Sequence, residues 1–270
     1  MSQIEPFTAN LKAVKLLLGM IKTIQFRPVA TCDIQEEGLT FTVTEHQSIK
    51  AVVYAKRIMF EQYRLGTIDR SSFDLHLVTL VDCLGVVCPS GMMEGCKMKY
   101  NGIGTPLELT REDNHTHLTH TCKIKTMEPE LDTIDLSVND REIVQTVIMK
   151  ASLLQDALGD LDSSCEQITI KFFSQDLHFQ LFGTGTNGTT SMTDYHADNA
   201  EPFIAFDFSC DGTYKYLYSH IARCTKALDQ ASDVTMKISV EGFLSLLFKI
   251  GTSVNDDAAY VEFTFIPCVE

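Results

Sequence analysis

Leu11-Lys-Ala-Val-Lys-Leu-Leu-Leu-Gly-Met-Ile-Lys-Thr-Ile24 is the stretch from which the fold is read. At 100° per residue, Leu11, Val14, Leu17, Leu18 and Ile21 fall on one arc, and Lys12, Lys15, Gly19 and Lys22 on another. An amphipathic helix is predicted there. Strands come next in the chain: Ala30–Gln35 and Leu39–Thr44 alternate apolar and polar residues with period two. Helical spacing returns at Leu75–Val87, Ala151–Leu161 and Tyr218–Ala231. Between and after these lie strand-like runs at Ile168–Phe173, Leu177–Phe182, Phe203–Phe208, Val234–Val240 and Tyr260–Ile266. The helix starts are about 65 to 75 residues apart, a weak internal repeat of one helix plus several strands.

The boundary between repeats is expected in Thr126-Met-Glu-Pro-Glu-Leu-Asp-Thr-Ile-Asp-Leu-Ser137, an acidic segment where Pro129 disfavours a regular element. The predicted organisation is α+β: a domain at 1–125, a connector at 126–137 and a similar domain at 138–270. Each has two helices on one face of antiparallel sheets.

Composition narrows the function. A chain of 270 residues, 44% hydrophobic and 21% charged, can bury an ordinary core. Its N-terminus, Met1-Ser-Gln-Ile-Glu-Pro6, lacks the pattern of a secretory signal, and no apolar stretch approaches membrane-spanning length. The expectation is a soluble, unsecreted protein without membrane association. Nine cysteines without a C-x-x-C pair suit free thiols in a reducing compartment, cytosol or nucleus. The N-x-T sequons at Asn114 and Asn187 would matter only in a secreted protein. A net charge of −14 argues against a protein that coats nucleic acid, since phosphate binding needs a positive surface. A ring with a basic inner wall and an acidic outer wall would carry the same sum.

The lysine arc of the first helix is echoed in the fourth, where His220, Arg223 and Lys226 recur at three-residue spacing. Such a stripe on an arbitrary protein is usually a solvated face; two on a chain this acidic suggest one lined surface. The second helix is neutral to acidic (His76, Thr79, Asp82) and the third acidic (Asp156, Asp160, Asp162), so any basic lining is partial. Gly183-Thr-Gly-Thr-Asn-Gly188 matches a dinucleotide fingerprint, but the β-like Thr189-Thr-Ser-Met-Thr-Asp-Tyr195 stands where a helix N-terminus is required. A hairpin loop is predicted instead. His115, His117, His120 and Cys122 crowd one strand, but the two pairs face opposite ways and do not converge as tetrahedral zinc requires. Asp140-Arg-Glu142 and Glu128-Pro-Glu130 have carboxylate spacings expected by chance among 36 acidic residues. No metal, cofactor or catalytic residue is assigned.

Six stretches then resemble, in order, the Rad-one family of checkpoint clamp subunits. They are Phe26-Arg-Pro-Val-Ala-Thr-Cys32, Leu80-Val-Asp-Cys-Leu84, Tyr100-Asn-Gly-Ile-Gly-Thr-Pro-Leu-Glu-Leu109, Cys122-Lys-Ile-Lys-Thr-Met-Glu-Pro-Glu130, Thr225-Lys-Ala-Leu228 and Gly242-Phe-Leu-Ser-Leu246. The resemblance implies a sliding-clamp (DNA clamp) fold like that of proliferating cell nuclear antigen, with four helices inside a ring and antiparallel sheets outside. It implies a nuclear, non-catalytic subunit of the heterotrimeric nine-one-one ring, acting in DNA-damage checkpoint signalling and repair. Its implied partners are Rad-nine and Hus-one type subunits, a checkpoint form of the replication factor C loader, and double-stranded DNA without sequence preference. Lys12, Lys15, Lys22, Arg223 and Lys226 would face DNA. Subunit edges would be His115 to Cys122, including His117 and His120, and Gly188 to Tyr195, including Thr189, Ser191 and Thr193. A partner groove would lie among Ile49, Met127, Leu131, Ile134, Ile266 and Pro267. A homotrimeric replication clamp and a metal-dependent 3′-to-5′ exonuclease are the weighed alternatives.

Overall fold

Period-two alternation claims Leu11 for a strand. In Phe7-Thr-Ala-Asn-Leu11 alternate residues are buried, and β1 (Phe7–Leu11) lies between two antiparallel partners that set Leu11 opposite Phe60 and Cys96. Helix α1 (Val14–Thr23) therefore begins later than the arc from Leu11 predicts. Lys12 falls in the link, its backbone N–H donating to Met59 O at 3.1 Å. These relations come from a computed structural model, which describes residues 5–68, 71–87, 95–112, 118–129, 136–138, 140–196, 203–251 and 259–268.

After α1 come β2 (Val29–Gln35), β3 (Gly38–Glu45), β4 (Ile49–Lys56) and a 3-10 turn at Arg57–Met59. The chain continues through β5 (Phe60–Arg64), β6 (Ser72–His76), α2 (Leu77–Val87), β7 (Cys96–Tyr100), β8 (Leu107–Glu112) and β9 (Thr119–Ile124). A second series opens with β10 (Ile143–Lys150), α3 (Ala151–Gly159), β11 (Gln167–Phe173), β12 (His178–Thr184), β13 (Thr190–His196), β14 (Phe203–Phe208) and β15 (Gly212–Leu217). It closes with α4 (Tyr218–Ile221), a 3-10 turn at Ala222–Cys224, α5 (Thr225–Leu228), β16 (Ala231–Ser239), β17 (Leu244–Ile250) and β18 (Ala259–Phe265).

The two series share one topology. Neighbouring strands run β5-β1-β7-β8-β9 and β6-β2-β3-β4 in the first, and β14-β10-β16-β17-β18 and β15-β11-β12-β13 in the second. Adding nine to each strand number converts the first pattern into the second. Both series also end alike. Past β9, Met127 exchanges backbone hydrogen bonds of 2.9 and 3.0 Å with Asp74 of β6; past β18, the Cys268 N–H donates to Lys215 O of β15 at 2.8 Å. Two compact units result, the first holding Met1–Val43, Val52–Thr133 and Ser253–Ala259, the second Thr44–Ala51, Ile134–Thr252 and Tyr260–Glu270.

Two other helices depart from the pattern read in the sequence. Leu75 pairs with Ala30 in β6, so α2 starts at Leu77 and His76 belongs to the strand. The expected helix Tyr218–Ala231 is broken: the Thr225 hydroxyl donates to Ala222 O at 2.9 Å, a side-chain bond that competes with the helical ladder. Its end, Ala231, enters β16 opposite Ile250. The glycine-rich segment is a hairpin between β12 and β13, with Gly188 at φ 82° and its N–H donating to Gly185 O at 2.9 Å. A positive φ favours glycine there. Among the described residues no helix is long and apolar enough to cross a membrane.

Each unit has its own core. In the first, Phe73 and Tyr100 pack at a ring separation of 4.3 Å, and Leu17, Ile21, Leu80 and Leu84 are fully buried. In the second, Phe172 touches Phe179 at 5.5 Å and Phe208 at 5.0 Å, and the buried Tyr216 hydroxyl donates to Gly242 O at 2.9 Å. Phe172 has no exposed surface. Phe172→Ala is therefore expected to cost about 3–5 kcal/mol, the range for truncating a buried aromatic ring. Urea unfolding measures it, and a loss under about 1 kcal/mol would show a core able to collapse around the gap.

Candidate functional site

Two features recur as candidates: open strand edges and the exposed faces of the helices. β9 and β13 each end their neighbour order, so one flank of each has no strand beside it among the described residues. An open edge presents unpaired N–H and C=O groups and invites another chain. On β9, Thr121 lies opposite Thr110 and His120 opposite Arg111, while the exposed Leu118 leads into the strand. His115 and His117 lie outside the described residues. On β13, Ser191 pairs with Gly183 and Thr193 with Leu181. Thr189 precedes the strand and closes the hairpin, its N–H donating to Asn187 Oδ1 at 2.8 Å. Between Ser191 and Thr193, Met192 is 59% exposed. Leu118 and Met192 are apolar residues in polar runs, and that is the sequence signal available for them.

The helical faces are less basic than their sequences suggest. Lys15 and Lys22 are exposed on α1 and lie two turns apart on one side; Lys12 is exposed just before the helix. None of the three has a carboxylate within 4.0 Å among the described residues. Lys22 also sits in the last turn, where a cation offsets the helix dipole. On α2 the exposed residues are Val78, Thr79, Asp82, Gly85 and Val86, the two valines 59% and 61% exposed. On α3, Asp156 is exposed, whereas Asp162 lies beyond the helix and accepts from Ser164 and Asn187.

In the second unit His220, Arg223 and Lys226 fall at three-residue spacing on α4, the 3-10 turn and α5 in succession. The three are not equivalent. Arg223 Nε lies 3.5 Å from a Glu45 carboxylate oxygen, so its charge is largely answered. Burial lowers the His220 pKa; Glu45 opposes that shift and Arg223 adds to it. Lys226 remains exposed, without a carboxylate within reach among the described residues.

The expected groove residues separate. Ile49, at the start of β4, is fully buried and has no surface to offer a partner, which corrects its place in that set. Met127 is half-buried and held by Asp74; Ile266 and Pro267 are half-buried; Leu131 and Ile134 lie outside the described residues. Two small clefts occupy matching positions in the two series. One, of ≈ 160 Å³, lies between Ser72, the β7–β8 turn at Ile103 and Gly104, and Met127–Pro129. The other, of ≈ 250 Å³, lies between Tyr214, the β16–β17 turn at Glu241 and Gly242, and Pro267. Among the described residues no three His, Cys, Asp or Glu side chains gather to hold a metal ion.

Mostly antiparallel sheets with few helices are consistent with a clamp-like class of protein. The chain belongs to the repair-protein family Rad1/Rec1/Rad17, which it matches over residues 6–250. It is similar to the cell cycle checkpoint protein RAD1 of Homo sapiens, 29% identical over 266 residues that cover 96% of this chain and 90% of that protein. It is likewise similar to the DNA damage checkpoint control protein rad1 of Schizosaccharomyces pombe, 25% identical over 97% of this chain and 86% of that one. The DNA repair protein Rad1 of Drosophila melanogaster is 24% identical over 99% and 98%.

The Glu45 contact yields a test. Glu45→Gln removes the one influence that raises the His220 pKa and leaves Arg223, so the imidazole should titrate lower still. NMR titration of His220 in both proteins measures this, and an upward shift in the variant would contradict the arrangement. The sign of the linkage is fixed by the depression: a histidine lowered when folded stabilises fully above its ordinary value of about 6.5, and that contribution is lost as pH falls through the folded value.

Proposed function

We propose that this chain is a non-catalytic subunit of a heterotrimeric ring that encircles double-stranded DNA at damage sites in the nucleus. The ring serves DNA-damage checkpoint signalling and repair as a sliding platform. One observation carries the reading: a single nine-strand topology occurs twice in the chain, and β9 and β13 are left as open edges. A repeated unit that leaves two different strands, β9 and β13, among its sheet ends suits heterologous, head-to-tail association, which closes a ring when the rotation permits. The family resemblance supports Rad-nine and Hus-one type neighbours, and a checkpoint form of the replication factor C complex as loader. In this reading Leu118 and Met192 bury against those neighbours, since apolar residues on an edge gain most from being covered.

The helices then form the inner lining, and their charges explain how such a ring holds DNA loosely. Lys12, Lys15, Lys22 and Lys226 supply mobile phosphate contacts, while Arg223 is tied to Glu45 and α2 contributes valines. Each phosphate neutralised steepens the salt dependence of binding by about 0.9 in log–log slope, so four lysines give weak, sequence-independent contact. Enclosure provides retention, and the lysines permit movement. A homotrimer would place Asp156 of α3 in the lining three times over, which disfavours the homotypic alternative.

Retention on DNA of the assembled, loaded complex tests this. It should survive high salt on closed circles and fall away when the circle is linearised. Lys15→Glu with Lys22→Glu should shorten retention at low salt without lowering the unfolding free energy by more than about 0.5 kcal/mol, the usual limit for exposed positions. Loss at high salt that is equal on circular and linear DNA would overturn the ring. Unchanged low-salt retention in the double variant would reduce the α1 lysines to a solvated face.

A further inference from the structure

Among the described residues the sheets end on β5, β6, β9, β13, β14 and β15. The chain itself closes β6 and β15, and β9 and β13 carry the assembly proposed above. β5 has the composition of a guarded edge: its Glu61 and Arg64 are exposed, and charge on an edge strand discourages further pairing. β14 differs. Its sequence, Phe203-Ile-Ala-Phe-Asp-Phe208, is apolar at every position but one, with Ile204 60% exposed and Ala205 exposed beside it.

The register of β14 shows which backbone groups it offers. The Ser209 N–H donates to Val144 O at 2.9 Å, so Ser209 turns toward β10, and alternate residues of an antiparallel ladder turn the same way. Asp207 and Ala205, opposite Thr146 and Ile148, therefore spend their N–H and C=O groups on β10. Phe206 and Phe208 turn theirs to the other flank, where no strand lies among the described residues. Ala205 pairs with Ile148 and Phe203 with Met149, which leaves Ile204 as the extra residue of a bulge. A bulge re-aims a side chain, and this one stands at the start of the strand, so residues 205–208 keep a regular register next to an exposed isoleucine. Rings brace the strand from within: Phe206 lies 4.6 Å from Phe203 and 5.4 Å from Phe208, and Phe203 lies 5.8 Å from Tyr195 of β13. Asp207 is exposed, with no cation within 4.0 Å among the described residues.

We propose that β14 is a docking strand for an extended peptide segment of a partner protein, which adds to the sheet as a further strand and sets a basic side chain beside Asp207 and an apolar one beside Ile204. The occupant is extended because a helix spends its own N–H and C=O groups internally and could not answer those of Phe206 and Phe208. Backbone bonds of this kind supply affinity, and alternate side chains of the added strand supply specificity. The lone carboxylate in an apolar strand selects a cation in the peptide, since opposite charges on neighbouring strands attract. A second copy of this chain fits less well, because each copy brings a net charge of −14 and a second Asp207. The site does not rest on the ring: β14 ends a different sheet from β9 and β13.

The experiment uses the full chain alone. Amide hydrogen exchange read by NMR should show the Phe206 and Phe208 N–H groups exchanging fast while those of Ala205 and Asp207 are protected. Peptides selected on the immobilised chain from a random display library should share alternating apolar residues with one lysine or arginine, and a synthetic copy of one should slow exchange at Phe206 and Phe208. N-methylation of that peptide at the alternate amides that face β14 should abolish binding, and methylation of the intervening amides should spare it. Asp207→Lys, at an exposed position, should weaken the peptide about twofold to fivefold, the effect of one cross-strand charge pair, and exchanging the peptide's cation for glutamate should restore it. Protection of Phe206 and Phe208 in the chain alone at every concentration would show that the chain covers this edge itself, and protection that grows with protein concentration would show a second copy there. Either result would overturn the proposal, as would a library that enriches no such peptide, selected peptides that slow other amides, or binding indifferent to N-methylation.

Discussion

A backbone N–H or C=O that leaves water must find another partner, and in a protein built of antiparallel sheets this requirement concentrates at the strands that end each sheet. The chain treats its ends unevenly. The β6 edge is held by Met127 through two backbone bonds, and the β15 edge receives Cys268 at the same point of the second series. β9 and β13 receive no such cover among the described residues, and each carries an exposed apolar residue at or beside it. β6 and β15 differ from β9 and β13 in that the chain itself closes them; β5 and β14 are the other two sheet ends. The proposed assembly rests on β9 and β13.

The same constraint organises charge. With strands supplying the core, the helices keep one face for solvent, and its side chains are free of structural duty. Among the described residues, α1 uses that freedom for Lys15 and Lys22 and α5 for Lys226, none with a carboxylate within 4.0 Å. In α2 the face is partly apolar, α3 bears Asp156, and the broken helix near Arg223 spends its guanidinium on Glu45. In the proposed ring, a net charge of −14 with these few lysines would attract phosphate weakly and locally. For an enclosing protein, weak local attraction is an advantage, since strong contacts would oppose sliding.

Much of the fold is legible in the sequence because burial there is periodic. The run Phe203–Phe208 has the bounds of its strand, and Ile168–Phe173 misses β11 only at its first residue. Leu11 and Leu75 mislead because both satisfy two periods at once, and cross-strand pairing with Cys96 and Ala30 decides in favour of the strand. The short strands β5 and β7 give no local signal strong enough to be read. At the candidate site, the lysines of α1 are visible as a stripe, whereas the Glu45–Arg223 pair and the Asp74–Met127 backbone bonds join residues far apart in sequence. No local spacing encodes them, and they arise only once the sheets have formed.

Native mass spectrometry of the complex captured gently by a tagged copy of this chain tests the central claim most directly. The account predicts a three-chain assembly with one copy of this protein and two different partners. Three identical copies, or the chain alone, would contradict it.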